Sequence, residues 1–283
     1  MFKDLIISMR IYQWYKNFLI FAGIIFSKNL FDLELLKLTI FGFIAFCLAS
    51  SGHYIFNDIL DREKDRKHPK KCKRPIASGK ISLPVAAISS AIMILASLLV
   101  SFILNFWFFL TVVTYLMLNL IYSTLLKKII LLDILTISVG FVIRAVAGCS
   151  LIDVLISPWL ILCTFLLALF LALGKRRNEL ILLDEKAKEH RGVLGLYSTD
   201  ALNQMLSVAT SMTIISYSLY TFFAEQLTMM LTIPIVVYGM FRYLLLIYTK
   251  NFGGETEMVF RDLGLTLSIT LWVVTVLVLL YLW

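Results

Sequence analysis

Long apolar stretches separated by short charged ones make up almost the whole chain. Most of them approach the roughly 20 residues that an α-helix needs to cross a membrane, and exceed the roughly 10 of a barrel strand. The pattern predicts nine transmembrane helices, at residues 17–33, 36–56, 84–103, 106–125, 129–149, 155–173, 203–223, 228–248 and 263–282. We therefore expect an all-α integral membrane protein that forms a single polytopic membrane domain, residues 1–283.

The composition agrees with this fold class. The chain is 60% hydrophobic and 16% charged, whereas a soluble domain usually carries roughly 25% charged residues. No small-residue cleavage site follows the basic segment 1–16, so we expect it to be retained and not to act as a signal peptide. The four cysteines lack metal-type spacing, so neither a disulfide nor a zinc site is expected.

The basic residues collect on one side of the predicted membrane. With a cytoplasmic N-terminus, the 26 Lys and Arg residues all fall in cytoplasmic segments except Lys28, Lys37 and Arg144. The positive-inside rule therefore predicts a multi-pass inner (plasma) membrane protein with an extracytoplasmic C-terminus. Topology and attraction to anionic membrane lipids explain the net charge of +8. The short basic loops contain no nucleic-acid module, so no nucleic-acid partner is expected.

An acidic motif, NDILDREKD at residues 57–65, follows the second span. If the helix continues into water, Asp58, Asp61 and Asp65 share one face. Oxygen ligands without His or Cys suit Mg²⁺, which typically bridges one or two carboxylates to substrate phosphates. The alternative is a solvated helix end paired with neighbouring cations. The following HPKKCKRPIASG, residues 68–79, breaks the helix and returns cations toward the carboxylates, which favours a pocket for Mg²⁺ and a diphosphate.

These two segments together resemble the first signature of the UbiA superfamily of membrane prenyltransferases. The resemblance implies a nine-helix UbiA-like bundle whose cytoplasmic cap loops, near 57–83 and 174–202, carry an active site that faces the cytoplasm. The residues that it implies for Mg²⁺ and diphosphate binding are Asn57, Asp58, Asp61 and Asp65.

The chain departs from the prenyl-transferring members, which usually carry a second DxxxD motif after the sixth span. Here the segment reads GKRRNEL, residues 174–180, and its three adjacent cations suit direct binding of an anion. The departure resembles the polyprenyl-phosphate phosphoribosyltransferases, as do RIYQWYKN (10–17), YSTLLK (122–127), Arg242-Tyr243, GGE (253–255) and Arg261-Asp262. This branch implies a glycosyltransferase that moves ribose 5-phosphate from phosphoribosyl diphosphate to a polyprenyl phosphate, in cell-envelope precursor synthesis.

The resemblance and the charges of the residues together suggest individual roles. The residues predicted to be catalytic are Asp58, Asp61, Lys71 and Arg74, of which the two cations neutralise charge on the leaving diphosphate. The further residues predicted to bind substrate are Gln13, Lys16, Tyr54, Asn57, Tyr122, Lys127, Lys175, Arg176 and Glu179. Lys16, Lys175 and Arg176 are expected to hold the 5-phosphate or the lipid phosphate. Glu179 either orients Arg176, contacts a ribose hydroxyl or forms a surface salt bridge.

Two other functions stay open at this stage. One is a UbiA-type prenyltransferase that moves an isoprenoid from its diphosphate to an aromatic acceptor. The other is a transporter or lipid scaffold, which leaves the aspartate spacing unexplained. The lipid chain length and the oligomeric state are also open, and a homo-oligomer is compatible with the sequence.

Two ionisable residues lie in the fifth predicted span. Asp133, near its inner end, is expected to snorkel to the surface. Arg144 lies deeper and is expected to find a partner inside the bundle, either a structural one or the lipid phosphate.

Overall fold

The computed structural model describes residues 2–67, 71–183, 195–223, 227–250 and 261–282, and the secondary structure of these residues is helical, without strands. The α-helices are α1 (Phe2–Met9), α2 (Phe21–Phe26), α3 (Leu33–Leu60), α4 (Arg62–Lys67), α5 (Leu83–Leu104), α6 (Phe106–Thr124), α7 (Leu132–Leu151), α8 (Pro158–Leu183), α9 (Thr199–Phe223), α10 (Ile233–Lys250) and α11 (Leu263–Leu282). The 3₁₀ helices are Ile11–Ile20, Lys71–Lys73, Leu126–Lys128 and Leu227–Thr232.

Eight helices within the described residues are long and apolar enough to cross a membrane. They correspond to eight of the nine predicted spans, so the multi-pass membrane class is confirmed. The count of nine is not, because residues 17–33 fall on three short pieces: the end of a 3₁₀ helix, α2 and a turn. The polar turn residues Ser27 and Asn29 stop α2 after six residues.

Side-chain caps fix where two spanning helices begin. The Asp32 carboxylate accepts the backbone N–H groups of Glu34 and Leu35 at 2.9 and 3.1 Å at the start of α3. Asn105 accepts those of Trp107 and Phe108 at 2.7 and 3.1 Å before α6. Each cap satisfies donors that the first turn of a helix leaves without an intrahelical partner.

The described chain divides into two compact units. The first comprises residues 1–125 and 143–156, and the second comprises residues 126–142 and 157–283. Each has its own apolar core: Phe46, Phe108 and Tyr115 are fully buried in the first, and Phe170, Leu206 and Ile247 are buried in the second. The single domain expected over residues 1–283 stays a prediction.

Small residues and hydroxyl groups bring α3 and α5 together in the first unit. Ser90 and Ser97 on α5 donate to the carbonyl oxygens of Gly52 and Ala45 on α3, at 2.8 and 2.7 Å. Such contacts are typical of membrane helices, where close backbone approach replaces the hydrophobic effect as the force between helices.

Gly148, on α7, lies in close backbone contact with the N-terminal segment. A methyl group at this position would lie 1.9 Å from the carbonyl oxygen of Ile20, at the end of the 3₁₀ helix Ile11–Ile20. Gly23 meets the backbone of Gly148 and Cys149 in the same way. The absence of side chains at these glycines therefore lets the N-terminal segment lie directly on α7.

We expect Gly148→Ala to destabilise the protein by about 3 kcal/mol, since the obstructing atoms are backbone and cannot rotate away. Thermal unfolding of the purified protein in detergent measures this loss. Gly42→Ala is the matched control, because its methyl group meets only the flexible end of Leu151 and the tip of a phenylalanine ring. Equal unfolding temperatures for the two variants would contradict the role given to Gly148.

Candidate active site

The acidic motif folds around one guanidinium in the first unit. Asp58 lies in the last turn of α3, and Asp65 lies in α4. Arg74 donates from one terminal nitrogen to Asp58 Oδ1 at 3.0 Å and to Asp65 Oδ2 at 2.6 Å. The two carboxylates are only 3% and 5% exposed, so a shared cation is what makes their burial side by side tolerable.

Arg10 is a second cation on Asp58, and the sequence did not identify it. It donates to Asp58 Oδ1 at 2.5 Å, and its guanidinium lies 4.9 Å from the centre of the Tyr54 ring. Its backbone has a positive φ of 52° at the junction between α1 and the 3₁₀ helix Ile11–Ile20. Such a conformation is uncommon outside glycine. The positive-inside rule accounts for a basic residue at position 10, so the sequence alone gave no reason to expect the contact with Asp58.

Asp61 occupies the single turn residue between α3 and α4 and is half-buried. The motif is therefore not one uninterrupted helix. No group of three or more His, Cys, Asp or Glu side chains within the described residues has the geometry of a metal site. A three-aspartate ligand set of Asp58, Asp61 and Asp65 stays a prediction.

The donor chemistry of the motif nevertheless fits a hard divalent cation. Asp58 and Asp65 present carboxylate oxygens to one shared positive charge, that of Arg74. Mg²⁺ is commonly held by one or two carboxylates and completes its coordination with water and substrate phosphate oxygens. Two aspartates that already share a cation meet that requirement.

The segment from Lys71 to Lys80, which carries Arg74, is held in place by buried apolar residues and by one side-chain hydrogen bond. Pro75, Ile76 and Ala77 are buried, and Ile76 packs against Ile55 of α3. The Arg66 side chain donates to the carbonyl oxygen of Ala77 at 3.0 Å. Lys71 is exposed in the 3₁₀ helix Lys71–Lys73 that precedes Arg74.

The N-terminal 3₁₀ helix lies against α3 through polar contacts. Trp14 donates to Ser51 Oγ at 3.0 Å, and Asn17 donates to Ser50 Oγ at 3.2 Å. Lys16 donates to Gln13 Oε1 at 3.1 Å, so these two predicted substrate-binding residues do meet. Asn57 and Tyr54 are half-buried near the end of α3.

Arg144 finds structural partners in the first unit. It donates to Asn17 Oδ1 at 2.9 Å and to the Tyr115 hydroxyl at 2.8 Å, and its guanidinium lies 4.8 Å from the centre of the Tyr115 ring. It thus ties α7 to the N-terminal segment and to α6. Of the two roles expected for Arg144, these contacts support the structural one.

The cation-rich segment of the second unit is helical, not a loop, at least to Leu183, because α8 continues through it. Its cations do not form a common patch. Arg177 is buried, donates to Asn203 Oδ1 at 2.6 Å and to the carbonyl oxygen of Ile247 at 3.1 Å, and lies 4.5 Å from the centre of the Tyr248 ring. Lys175 alone of the three cations is half-exposed.

Arg176 takes part in a buried ion-pair cluster. It donates to Asp133 Oδ2 at 2.7 Å and to Glu179 Oε2. Asp133 is fully buried, so the expectation that it snorkels is wrong. A buried carboxylate needs its oxygens paired, and here Arg176 provides that pairing.

Tyr197 completes the surroundings of Asp133. Its hydroxyl donates to Asp133 Oδ1 at 2.8 Å and accepts the backbone N–H of Leu131 at 2.7 Å. Burial raises the pKa of Tyr197 to about 12, so the hydroxyl stays a donor at neutral pH. Leu131 has a positive φ of 67°, a conformation that costs about 1–2 kcal/mol for a non-glycine residue.

The remaining predicted residues are placed as follows. Tyr122 is half-buried in α6 of the first unit, and Lys127 is half-buried in the 3₁₀ helix Leu126–Lys128 of the second. Arg242 donates to both oxygens of Asp262, at 3.1 and 2.9 Å. The GGE segment, residues 253–255, and residues 184–194 of the predicted second loop lie outside the described residues.

Comparison with known proteins places this fold and these motifs in one class of membrane enzymes. Residues 17–251 match the UbiA prenyltransferase family, and the chain belongs to that family. The structure is similar to that of a UbiA homolog from Archaeoglobus fulgidus bound to GPP and Mg²⁺, with a TM-score of 0.76, 19% identity and coverage of 96% of each chain.

Two relatives bear on the branch of the family. The chain is 30% identical to the decaprenyl-phosphate phosphoribosyltransferase of Mycolicibacterium smegmatis over 97% of its own length and 91% of that protein. It is 38% identical to the uncharacterized protein y4nM of Sinorhizobium fredii over 62% of its length. The match covers 34% of that longer relative.

The guanidinium of Arg74, shared by Asp58 and Asp65, leads to a testable prediction about metal binding. We expect Arg74→Ala to destabilise the protein by about 1–3 kcal/mol, because Asp58 and Asp65 lose their common cation while Arg10 remains on Asp58. Millimolar Mg²⁺ should restore part of the loss by replacing that charge. Thermal unfolding in detergent with and without MgCl₂ measures both effects.

Lys64→Ala is the control, because Lys64 is an exposed cation of the same helix, α4, and should show no response specific to Mg²⁺. If Mg²⁺ shifted the unfolding temperature of wild type and of Arg74→Ala equally, the two aspartates would not form a cation site.

Proposed function

We propose that this protein transfers ribosyl 5-phosphate from phosphoribosyl diphosphate to a polyprenyl phosphate in a Mg²⁺-dependent reaction. The observation that carries the proposal is the sequence GKRRNEL at residues 174–180, which puts the half-exposed Lys175 where prenyl-transferring members of the family usually carry a second aspartate motif. Similarity to a decaprenyl-phosphate phosphoribosyltransferase over nearly the full length of both chains supports it.

The proposal assigns the donor diphosphate to the cluster in the first unit. Asp58 and Asp65, with Asp61, would hold Mg²⁺, which supplies positive charge to the diphosphate when bound. With Mg²⁺ held by these aspartates, Arg74 and Arg10 would be available to phosphate oxygens, for which the fork geometry of a guanidinium is suited. Lys71, exposed just before Arg74, adds a further charge to the leaving group.

The proposal assigns the other phosphates to lysines. Lys175 and Lys127 are half-buried in the second unit, and Lys16 is half-buried in the first. An ammonium group acts as a compact charge that binds phosphate without demanding one orientation. Each of these lysines would hold the 5-phosphate or the lipid phosphate within its own unit, and in the first unit Tyr122, Gln13, Asn57 and Tyr54 would add hydrogen bonds.

The proposed chemistry needs little from the protein beyond position and charge. A lipid phosphate oxygen attacks the anomeric carbon as the bond from that carbon to the diphosphate oxygen breaks, and the configuration inverts. A phosphate monoester is largely ionised near neutral pH, since its second pKa is about 6. Neither a general base nor an enzyme nucleophile is then required, and catalysis rests on orientation and charge stabilisation.

The proposed location follows from the distribution of charge. The basic segments, including residues 62–80, would face the cytoplasm, where a soluble sugar diphosphate is available, and the protein would reside in the inner (plasma) membrane among anionic lipids. Its product would serve as a lipid-linked sugar precursor for the cell envelope. A membrane-impermeant maleimide tests the orientation, since Cys72 should react in inverted vesicles and not in intact cells.

The test of the function uses the purified protein in detergent with Mg²⁺. We expect radiolabelled phosphoribosyl diphosphate, incubated with a short polyprenyl phosphate, to transfer label to the organic phase. Asp58→Asn should lower the rate at least about 100-fold, because it removes a charge from the site that holds the metal and the diphosphate.

Glu63→Gln is the matched control, because the Glu63 carboxylate belongs to the same motif but is exposed and pairs only with Arg66 in the described contacts. It should keep wild-type activity. The proposal fails if wild type labels no lipid and instead consumes an isoprenyl diphosphate with an aromatic acceptor, which is the alternative function within this family.

A further inference from the structure

A fully buried carboxylate of the second unit, Asp133, lies outside every role assigned so far. It is 0% exposed, and both of its oxygens are engaged: Oδ1 by the Tyr197 hydroxyl at 2.8 Å and Oδ2 by Arg176 Nε at 2.7 Å. Burial of a carboxylate is costly even when it is paired. Because burying Asp133 costs free energy, we infer that the pairing of Asp133 with Tyr197 and Arg176 has a role other than stabilising the fold.

Arg176 extends the arrangement to the surface. Its side chain is 3% exposed and donates from a second nitrogen to Glu179, whose side chain is 26% exposed. One buried guanidinium therefore fixes the orientation of one accessible carboxylate. A planar guanidinium with several donors in fixed directions is well suited to hold two carboxylates at once.

Glu179 and Lys175 lie one helical turn apart on α8. Positions i and i+4 of a helix are neighbours on its surface, and both side chains are half-exposed, whereas Arg176, Arg177 and Asn178 between them are buried. This face of α8 therefore offers one ammonium group and one carboxylate side by side. A ligand that carries a phosphate close to hydroxyl groups suits this pair, because the ammonium group can bind the phosphate and the carboxylate can accept the hydroxyl groups.

At the other end of this set of hydrogen bonds, the backbone of Leu131 is also held in a fixed conformation. The Leu131 N–H donates to the Tyr197 hydroxyl at 2.7 Å, and Leu131 has the positive φ of 67° already noted. Strained backbone persists where the surroundings hold it in place, and it is frequent at functional sites. Leu131, Tyr197, Asp133, Arg176 and Glu179 thus form one continuous chain of hydrogen bonds.

We propose that Asp133 and Arg176 are positioning residues that hold the Glu179 carboxylate to accept hydrogen bonds from a hydroxyl of the donor sugar, beside a phosphate on Lys175. The inference rests on the proposed function and changes the role of Arg176, which supports Glu179 and does not bind phosphate itself. Acidic side chains accept ribose hydroxyls in the same manner in dinucleotide-binding folds.

This arrangement gives a physical reason for the choice of donor. A carboxylate beside the binding lysine repels a ligand that is only phosphate, but it stabilises one that brings hydroxyl donors. An isoprenyl chain brings none, so it would take water from the partly exposed Glu179 carboxylate and offer no hydrogen bond in its place. Glu179 therefore selects a hydroxylated donor over an isoprenyl one.

The test measures kcat/KM for phosphoribosyl diphosphate and for its 2-deoxy and 3-deoxy analogues, with a polyprenyl phosphate as acceptor. Wild type should prefer the ribosyl donor over at least one analogue by about 10- to 100-fold, the range for a hydrogen bond to a charged group. Glu179→Ala should reduce that preference to within about threefold. Glu179→Gln should keep part of it.

Two further variants separate positioning from direct binding. Arg176→Lys keeps the charge but loses the two-carboxylate contact, and Tyr197→Phe removes one hydrogen bond to Asp133. Both should lose discrimination between the donors while thermal stabilisation by Mg²⁺ with inorganic diphosphate stays at the wild-type level. Asp200→Ala, an exposed carboxylate at the start of α9, is the control and should keep wild-type discrimination.

The outcomes distinguish this inference from the proposed function. If wild type transfers no ribosyl group, the proposed function fails and the inference fails with it. If wild type transfers ribosyl 5-phosphate and Glu179→Ala keeps the wild-type preference among the three donors, the function stands and the inference is overturned. Arg176 would also regain a direct phosphate role if Arg176→Lys raised KM equally for all three donors.

Discussion

Charges inside a membrane protein must neutralise one another locally, and the rest of this structure depends on that constraint. With little water to stabilise an isolated charge, each buried carboxylate needs a cation within hydrogen-bond distance. Asp58 and Asp65 meet Arg74 and Arg10 in the first unit, and Asp133 meets Arg176 in the second. These pairs also determine where the chain turns, since Arg74 draws the segment after α4 back to α3.

The same constraint links stability to function. In the proposed function, Asp58 and Asp65 would exchange their shared guanidinium for a metal ion without being left unpaired, and Arg74 would then bind phosphate. A site made in this way suits ligands with several negative charges.

The sequence predicted the parts of the fold that depend on local pattern. Eight of the nine spans follow from stretches of apolar residues, and the family follows from Asn57 to Gly79. The continuation of α3 into the aspartate motif was considered, and the helix reaches Leu60. The extension of α8 to Leu183 was missed, because polar residues there ended the apolar pattern while the helix continued. Residues 17–33 were apolar enough to predict a span, but the 3₁₀ helix that ends at Ile20 and the turn at Ser27 divide them into short pieces.

The pairings of the site could not be read in the same way. Arg10 meets Asp58 across 48 residues, and Asp133 meets Arg176 across 43, and no periodicity records contacts at that distance. Charge bias along the chain explained Arg10 by topology, and Lys175 and Arg176 were given the same phosphate-binding role. Burial then separated these two, because Arg176 is buried whereas Lys175 is half-exposed.

The central claim is that this charge arrangement selects a sugar diphosphate over an isoprenyl diphosphate. Isothermal titration of the purified protein with Mg²⁺ measures the dissociation constants of phosphoribosyl diphosphate and geranyl diphosphate under identical conditions. The account predicts at least about tenfold tighter binding of phosphoribosyl diphosphate, equivalent to about 1.4 kcal/mol. Equal or tighter binding of geranyl diphosphate would contradict it.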